Sequence, residues 1–149
     1  MAKDSLWTHK PSEVLRFRPG TSVGDIDTDS SPGFSGRRDD AEQITAERGD
    51  RFAELQEMLY ANGREGDHRS VLLVLQGMDT AGKGGIVTHV VGAGNPMGID
   101  YHSFGKPTPE ELSHHFLWRI NKALPRAGHI GVFDRSHYED VLVVRVHEL

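Results

Sequence analysis

Residues Val71 to Gly85 read VLLVLQGMDTAGKGG, an apolar run that breaks into G-x-x-x-x-G-K at Gly77, Gly82 and Lys83. Five apolar residues bounded by polar residues and a glycine have the pattern of a strand buried on both faces of a parallel sheet. A helix is expected to start near Lys83. Glycine suits positions where backbone N–H groups turn inward around an anion, because a Cβ would obstruct both the turn and the approach of phosphate. Lys83 adds a compact positive charge. Gly77, Met78, Thr80, Ala81, Gly82, Lys83, Gly84 and Gly85 are therefore read as a phosphate-binding loop. The competing reading is a glycine-rich turn carrying a surface lysine.

The loop departs from the usual pattern at two residues. Gly84 stands where a Ser or Thr hydroxyl normally helps to hold Mg²⁺ beside the phosphates, which leaves the ion one oxygen ligand short. Asp79 is the candidate replacement, since a carboxylate inside an anion cradle repels phosphate unless a cation lies between them. Its alternative role is to cap a turn.

Working outward, the chain alternates between the two regular periodicities. Ala41 to Asn62 is helical in pattern, with Ile44, Phe52, Leu55 and Leu59 near helical spacing and Asn62-Gly63 as the stop. The helix after the loop should end near Val91, before Gly92, Gly94 and Pro96. A second strand is expected over Ile99–Phe104. Thr108-Pro109-Glu110-Glu111 carries a helix start, with Thr108 as N-cap and Glu111 closing a capping box. Leu112, Phe116, Leu117, Ile120 and Leu124 continue it on one face to Pro125, about three to four turns. Strand, loop, helix, strand, helix, strand implies an α/β fold with a parallel sheet, right-handed crossovers and ligands at the carboxyl ends of the strands.

The third strand, Ile130 to Phe133, runs into Asp134 and Arg135 in the manner of a Walker B strand. Asp134 at a strand end beside the loop can hold Mg²⁺ directly or through water, and Arg135 can clamp a phosphate oxygen pair. A strand-end salt bridge is the alternative. Arg119 and Lys106 are read either as lining the phosphate path or as surface cations. Nine histidines include none at H-E-x-x-H spacing, and His114 and His115 diverge by about 100° on a helix, which prevents joint chelation. His137, inside the Asp-Arg-Ser-His-Tyr turn, is a weaker phosphate-site candidate that reads more readily as structural.

The 149 residues suit a single domain, and the net charge of −5 excludes a general nucleic-acid binder, since no basic face can neutralise a long phosphate backbone. With no cysteine, disulfides and thiolate zinc sites are excluded. No apolar run is long enough to span a membrane, and MAKDSLWTHK lacks the core of a signal peptide, so a cytoplasmic location is expected. Residues 1–40 are turn-rich and read as an extended arm or linker, with Arg16 and Arg18 of LRFRPG on one side of a possible strand. Residues 41–149 are read as the N-terminal portion of a phosphate-loop domain.

With GMDTAGKGG, NPMG from Asn95, FLWRINKALP from Phe116 and FDRSHYEDVLVVRV from Phe133 in place, the chain resembles the family-2 polyphosphate kinases from about Arg51 to Leu149. LRFRPG also resembles the N-terminal extension of one subgroup. The resemblance implies a three-layer P-loop kinase fold like that of thymidylate kinase, and Mg²⁺-dependent phosphoryl transfer between inorganic polyphosphate and a nucleoside mono- or diphosphate such as AMP, ADP or GDP. It implies that Asp79 orients the acceptor phosphate and its Mg²⁺, that Lys83 stabilises the transferring group, and that Asp134 with Arg135 completes the metal and phosphate site. It also implies a helix over Tyr138–Val146, where the β-branched valines alone favour a strand. Family members continue into a lid and further strands, so an incomplete kinase with an exposed, self-associating sheet edge is expected, homo-oligomeric in consequence. An ATP-dependent nucleoside monophosphate kinase and a non-catalytic phosphate-binding unit remain the alternative functions.

Overall fold

The computed structural model describes residues 6–146. Residues 1–5, on which the leader reading partly rests, lie outside the described residues, as do 147–149. The chain divides into two compact units, Met1–Glu47 and Arg48–Leu149, with the boundary inside the long helix α2, Arg38–Arg64; the sequence pattern divides instead at residue 40.

In the first unit the turn-rich arm closes on itself. Trp7 pairs with Phe34 in an isolated antiparallel bridge, their rings 5.0 Å apart, and Ser35 donates to the Leu6 carbonyl through both its N–H and its hydroxyl, each at 2.9 Å. Helix α1, Pro11–Val14, begins on a proline, as suits a first helical position. Arg16 and Arg18 are exposed and lie outside any strand, so the strand suggested for LRFRPG does not form.

The second unit is built on three parallel strands, β1 Val71–Leu75, β2 Ile99–Ser103 and β3 Ile130–Asp134, in the order β1-β3-β2. The register sets Leu75 and Ser103 opposite Asp134, so the three carboxyl ends are flush. On one face Leu75, Ile130 and Val132 pack with Val91, Phe52 and Leu59 of α2, and Val87 of α3, Lys83–His89. On the other, Phe133 and Phe104 pack with Ile120 and Leu117 of α5, Leu117–Lys122. Alternation along β3 thus feeds both cores, and burying each such side chain contributes about 1.5–3 kcal/mol. The result is the expected α/β three-layer arrangement with a parallel sheet.

Several local expectations change. β1 is covered on one side only, and there only toward its end at Leu73 and Leu75: Leu72 and Val74 are exposed because β1 is an edge strand and α5 packs on β3, and Val71 is exposed at the strand start. In α2 the inward stripe takes Gln56 in place of Leu55, since Phe52, Gln56 and Leu59 fall on one side at helical spacing. The Gln56 carbonyl oxygen accepts from the Asn95 N–H at 2.9 Å, which ties α2 to the NPMG turn. Gly63 sits where a Cβ would meet the Gly128 backbone at 2.5 Å, and Gly128 itself has φ +78, so this helix-end contact requires glycine twice.

The capped helix is present but broken. α4 covers only Pro109–Leu112, with both capping-box hydrogen bonds formed. The Ser113 hydroxyl then donates to the Glu110 carbonyl at 2.7 Å, and His115 Nδ1 accepts from the Leu117 N–H at 3.3 Å. These local bonds replace the helical ladder. As a result Leu112, Phe116 and Leu124 are exposed, while Ile120 alone of the expected stripe is fully buried. The Tyr138–Val146 segment is helical as the resemblance implied, opening with a π-helical stretch Glu139–Val143 before α6, Val144–Val146. Among the described residues no helix is long and apolar enough to cross a membrane.

Candidate active site

The flush strand ends deliver the two motifs to one place. Chain direction reverses after Leu75 through Gln76 to Gly82, where Thr80 (φ 67) and Gly82 (φ +88) both adopt left-handed backbone and Ala81 N–H bonds the Met78 carbonyl at 3.2 Å. Apart from the adjoining chain itself, nothing lies within 4 Å of where a Cβ on Gly82, Gly84 or Gly85 would stand. Packing within the chain therefore does not demand these glycines. Gly82 is required by its left-handed backbone, whereas Gly84 and Gly85 leave the surface at the start of α3 open.

Lys83 folds over this loop. Its ammonium donates to the carbonyls of Gly77 and Met78, both at 2.8 Å. Two of its three ammonium protons are engaged in this way. The lysine is thereby fixed at the loop instead of ranging over the surface.

Across from the loop, β3 ends in Asp134 and the chain turns sharply at Arg135, whose φ of 66 is unusual for a side-chain-bearing residue. The Arg135 N–H bonds the Leu75 carbonyl at 2.9 Å, which extends the β1–β3 ladder by one step and fixes where the guanidinium emerges. One terminal nitrogen lies 2.5 Å from Asp79 Oδ1, and the other 3.5 Å from Glu139 Oε2. Three of the four residues singled out as catalytic, Asp79, Asp134 and Arg135, thus meet at one seam, with Lys83 anchored in the adjoining loop.

Asp134 has two unlike oxygens. Oδ2 accepts from the Tyr101 hydroxyl at 3.1 Å, whereas Oδ1 is buried with no hydrogen-bond partner. Lost hydration and, second, the bond to Asp134 push the Tyr101 phenol above its ordinary value, so it remains a donor. A buried acceptor without a donor is costly unless a cation or bound water supplies one. Asp79, by contrast, is 84% exposed at its side chain and held only at its tip by Arg135. This donor set fits Mg²⁺, which takes one or two carboxylates plus phosphate oxygens and waters. Among the described residues no group of three His, Asp or Glu side chains forms a dedicated metal cage.

Arg119 lies elsewhere. It is 6% exposed, donates to the Gly105 carbonyl and to Asp140 Oδ2, each at 3.0 Å, and sits 5.5 Å from the Phe104 ring centre. Its guanidinium is committed to the backbone and to Asp140, with Glu111 at 3.8 Å. A cavity of about 380 Å³ beside it is lined by His102, Thr108, Trp118 and Lys122 among others, none from the phosphate loop. His137 stacks on Tyr138 with ring centres 4.4 Å apart.

Sequence reasoning missed Gln76, Ser136, Glu139 and Tyr101. Glu139 meets Arg135 only because the left-handed turn at Arg135 folds the start of the following helix back toward it. The other three touch partners across strands and carry no local signature.

Comparison with known proteins follows the same outline. A family model described as Polyphosphate kinase 2 (PPK2) matches residues 35–149. An AMP/ADP-polyphosphate phosphotransferase of Meiothermus ruber is 46% identical over 124 residues, covering 83% of this chain and 45% of that protein. An ADP-polyphosphate phosphotransferase of Rhodopseudomonas palustris is 50% identical over 98 residues, 66% of this chain and 32% of that protein. The crystal structure of polyphosphate kinase 2 from Arthrobacter aurescens TC1 superposes with a TM-score of 0.89 at 53% identity, covering 95% of this chain and 50% of that one. The chain therefore spans half or less of each of these relatives. Its loop, its Asp-Arg strand end and their shared frame, together with the match from residue 35 onward, place it in the polyphosphate kinase 2 family.

Proposed function

We propose that this chain carries the phosphate and metal half of a phosphotransferase site that moves a phosphoryl group between inorganic polyphosphate and a nucleoside mono- or diphosphate. The observation that carries the reading is the meeting of the Gly77–Lys83 loop with Asp134-Arg135 at flush strand ends, linked by the Arg135–Asp79 ion pair. Relatives named for AMP, ADP and GDP as partners of polyphosphate support that acceptor class.

In this reading the open loop receives phosphate oxygens on its backbone N–H groups and the free proton of Lys83. Arg135 grips a second pair of oxygens, and Asp79 orients the acceptor phosphate. Mg²⁺, when bound by Asp134 and Asp79, would draw charge from the transferring group. Because a loose phosphoryl transition state offers little covalent chemistry to catalyse, these residues act by positioning and by matching developing negative charge. No covalent intermediate on the protein is required.

The test is incubation of the chain with long-chain polyphosphate, Mg²⁺ and AMP, ADP or GDP in turn, reading nucleotide products by chromatography. Formation of the next higher phosphate supports the reading. Transfer from ATP but not from polyphosphate converts it to a nucleoside monophosphate kinase. Tight phosphate binding without turnover assigns a binding unit.

A further inference from the structure

Arg135 touches two carboxylates that are held very differently. Asp79 is exposed on the loop, whereas Glu139 is one-fifth exposed and its other oxygen accepts from Gln76 Nε2 at 2.7 Å. Gln76 Oε1 in turn accepts from the Ser136 hydroxyl at 3.0 Å, and the Ser136 oxygen accepts from the Tyr138 N–H at 3.2 Å. Ser136 is fully buried. The polarity of this chain follows from its members: Ser136 has one proton, its oxygen already accepts from a backbone N–H, so that proton goes to Gln76 Oε1. The Gln76 amide must then turn its N–H toward position 139, where only an acceptor fits. Gln76 immediately precedes Gly77, so the relay joins the base of the phosphate loop to the strand end that bears Arg135.

We propose that Gln76 and Glu139 are positioning residues for Arg135, forming an anchor that keeps its guanidinium aimed at the loop when Asp79 is drawn away by a phosphate–metal ligand. The inference rests on the phosphate-site reading above. A guanidinium held by Asp79 alone would lose its only anchor on ligand arrival and would have to be ordered anew. With Glu139 fixed from behind by Gln76, Arg135 exchanges one anionic partner for another while its second end stays put.

The experiment is calorimetric titration of the full chain with inorganic tripolyphosphate and Mg²⁺, with thermal melts as a control for folding. Arg135→Ala is expected to weaken binding about 30-fold, the scale of a lost charge-assisted pair. Glu139→Gln, which is isosteric, and Gln76→Ala should each weaken it about fivefold with little change in melting. Neither should weaken it further in the Arg135→Ala background, and Glu139→Asp should recover part of the loss. Unchanged affinity in Glu139→Gln, or an equal loss with and without Arg135, overturns the positioning role while binding that still needs Lys83 leaves the phosphate site standing. Absence of binding by the unaltered chain overturns both. Should Gln76→Ala fail to fold, the Glu139→Gln and Arg135→Ala pair still decides the matter.

Discussion

Two arginines, sixteen positions apart in sequence, stand in opposite regimes. Arg119 projects from α5, 6% exposed, bonded to a backbone carbonyl and to Asp140 and placed over the Phe104 ring. Arg135 emerges from a left-handed turn at the strand ends, 36% exposed, between Asp79 and Glu139. Two of the five N–H donors of the first are bonded inside the fold; the second faces two carboxylates from a partly exposed position. Charge alone does not distinguish the two arginines; burial and partners do.

That contrast breaks most visibly at the open region. Lys83→Ala should lower phosphoryl transfer by about two powers of ten, or about 3 kcal/mol of transition-state stabilisation, with the melting curve nearly unchanged. Lys83→Arg should not restore the rate, because a planar guanidinium is broader than the ammonium that bridges the Gly77 and Met78 carbonyls. Unaltered transfer kinetics in Lys83→Ala would remove the loop from the site.

In the closed region the order of effects reverses. Arg119→Ala should destabilise the chain by about 2–3 kcal/mol in urea unfolding, since it strands the Asp140 carboxylate and the Gly105 carbonyl. Any loss of phosphate affinity should track the unfolded fraction. A stable Arg119→Ala protein that has lost phosphate binding would instead make Arg119 a ligand and erase the contrast.

A smaller effect separates the two carboxylates. Asp134→Asn should raise the Mg²⁺ concentration needed for half-maximal transfer about tenfold, because the orphaned Oδ1 is the better-placed ligand. Asp79→Asn should raise it less and also weaken the hold on Arg135. Equal Mg²⁺ dependence in Asp79→Asn and the unaltered chain would reduce Asp79 to orienting the acceptor or shaping the turn.

The smallest effect is on pH. Hydrogen bonding from Arg126 holds the Asp100 carboxyl below its ordinary value, and the Thr108 N–H, with Arg119 nearby, does the same for Glu111. A carboxylate depressed in the folded state stabilises it above the unfolded value, near pH 4, and loses that contribution as pH falls through the folded value. Urea unfolding should therefore show a stability decline only below about pH 4, shallower in Asp100→Asn by at most about 1 kcal/mol. A decline that begins near pH 6 would point to histidines instead.

Features that depend on neighbours along the chain can be read from the order of residues alone. The G-x-x-x-x-G-K spacing, the three strands, the capping box at Thr108 and Glu111, and the parallel alternation were legible because periodicity and turn chemistry are local. The family motifs added the helix after Arg135, which the valines of that segment argue against. Tertiary structure alone decided the rest. It put Gln56 inward and Leu55 outward, split the α4–α5 stripe at Ser113, opened one side of β1, and closed the arm through Trp7 and Phe34. It also buried Arg119 against Asp140 and the Gly105 carbonyl, and tied Arg135, through Glu139 and Gln76, to a serine sixty residues downstream of that glutamine. The physical reason is common to these cases: burial and hydrogen-bond satisfaction are settled between segments distant in sequence, and the free energy of a polar side chain depends on which partner it meets there.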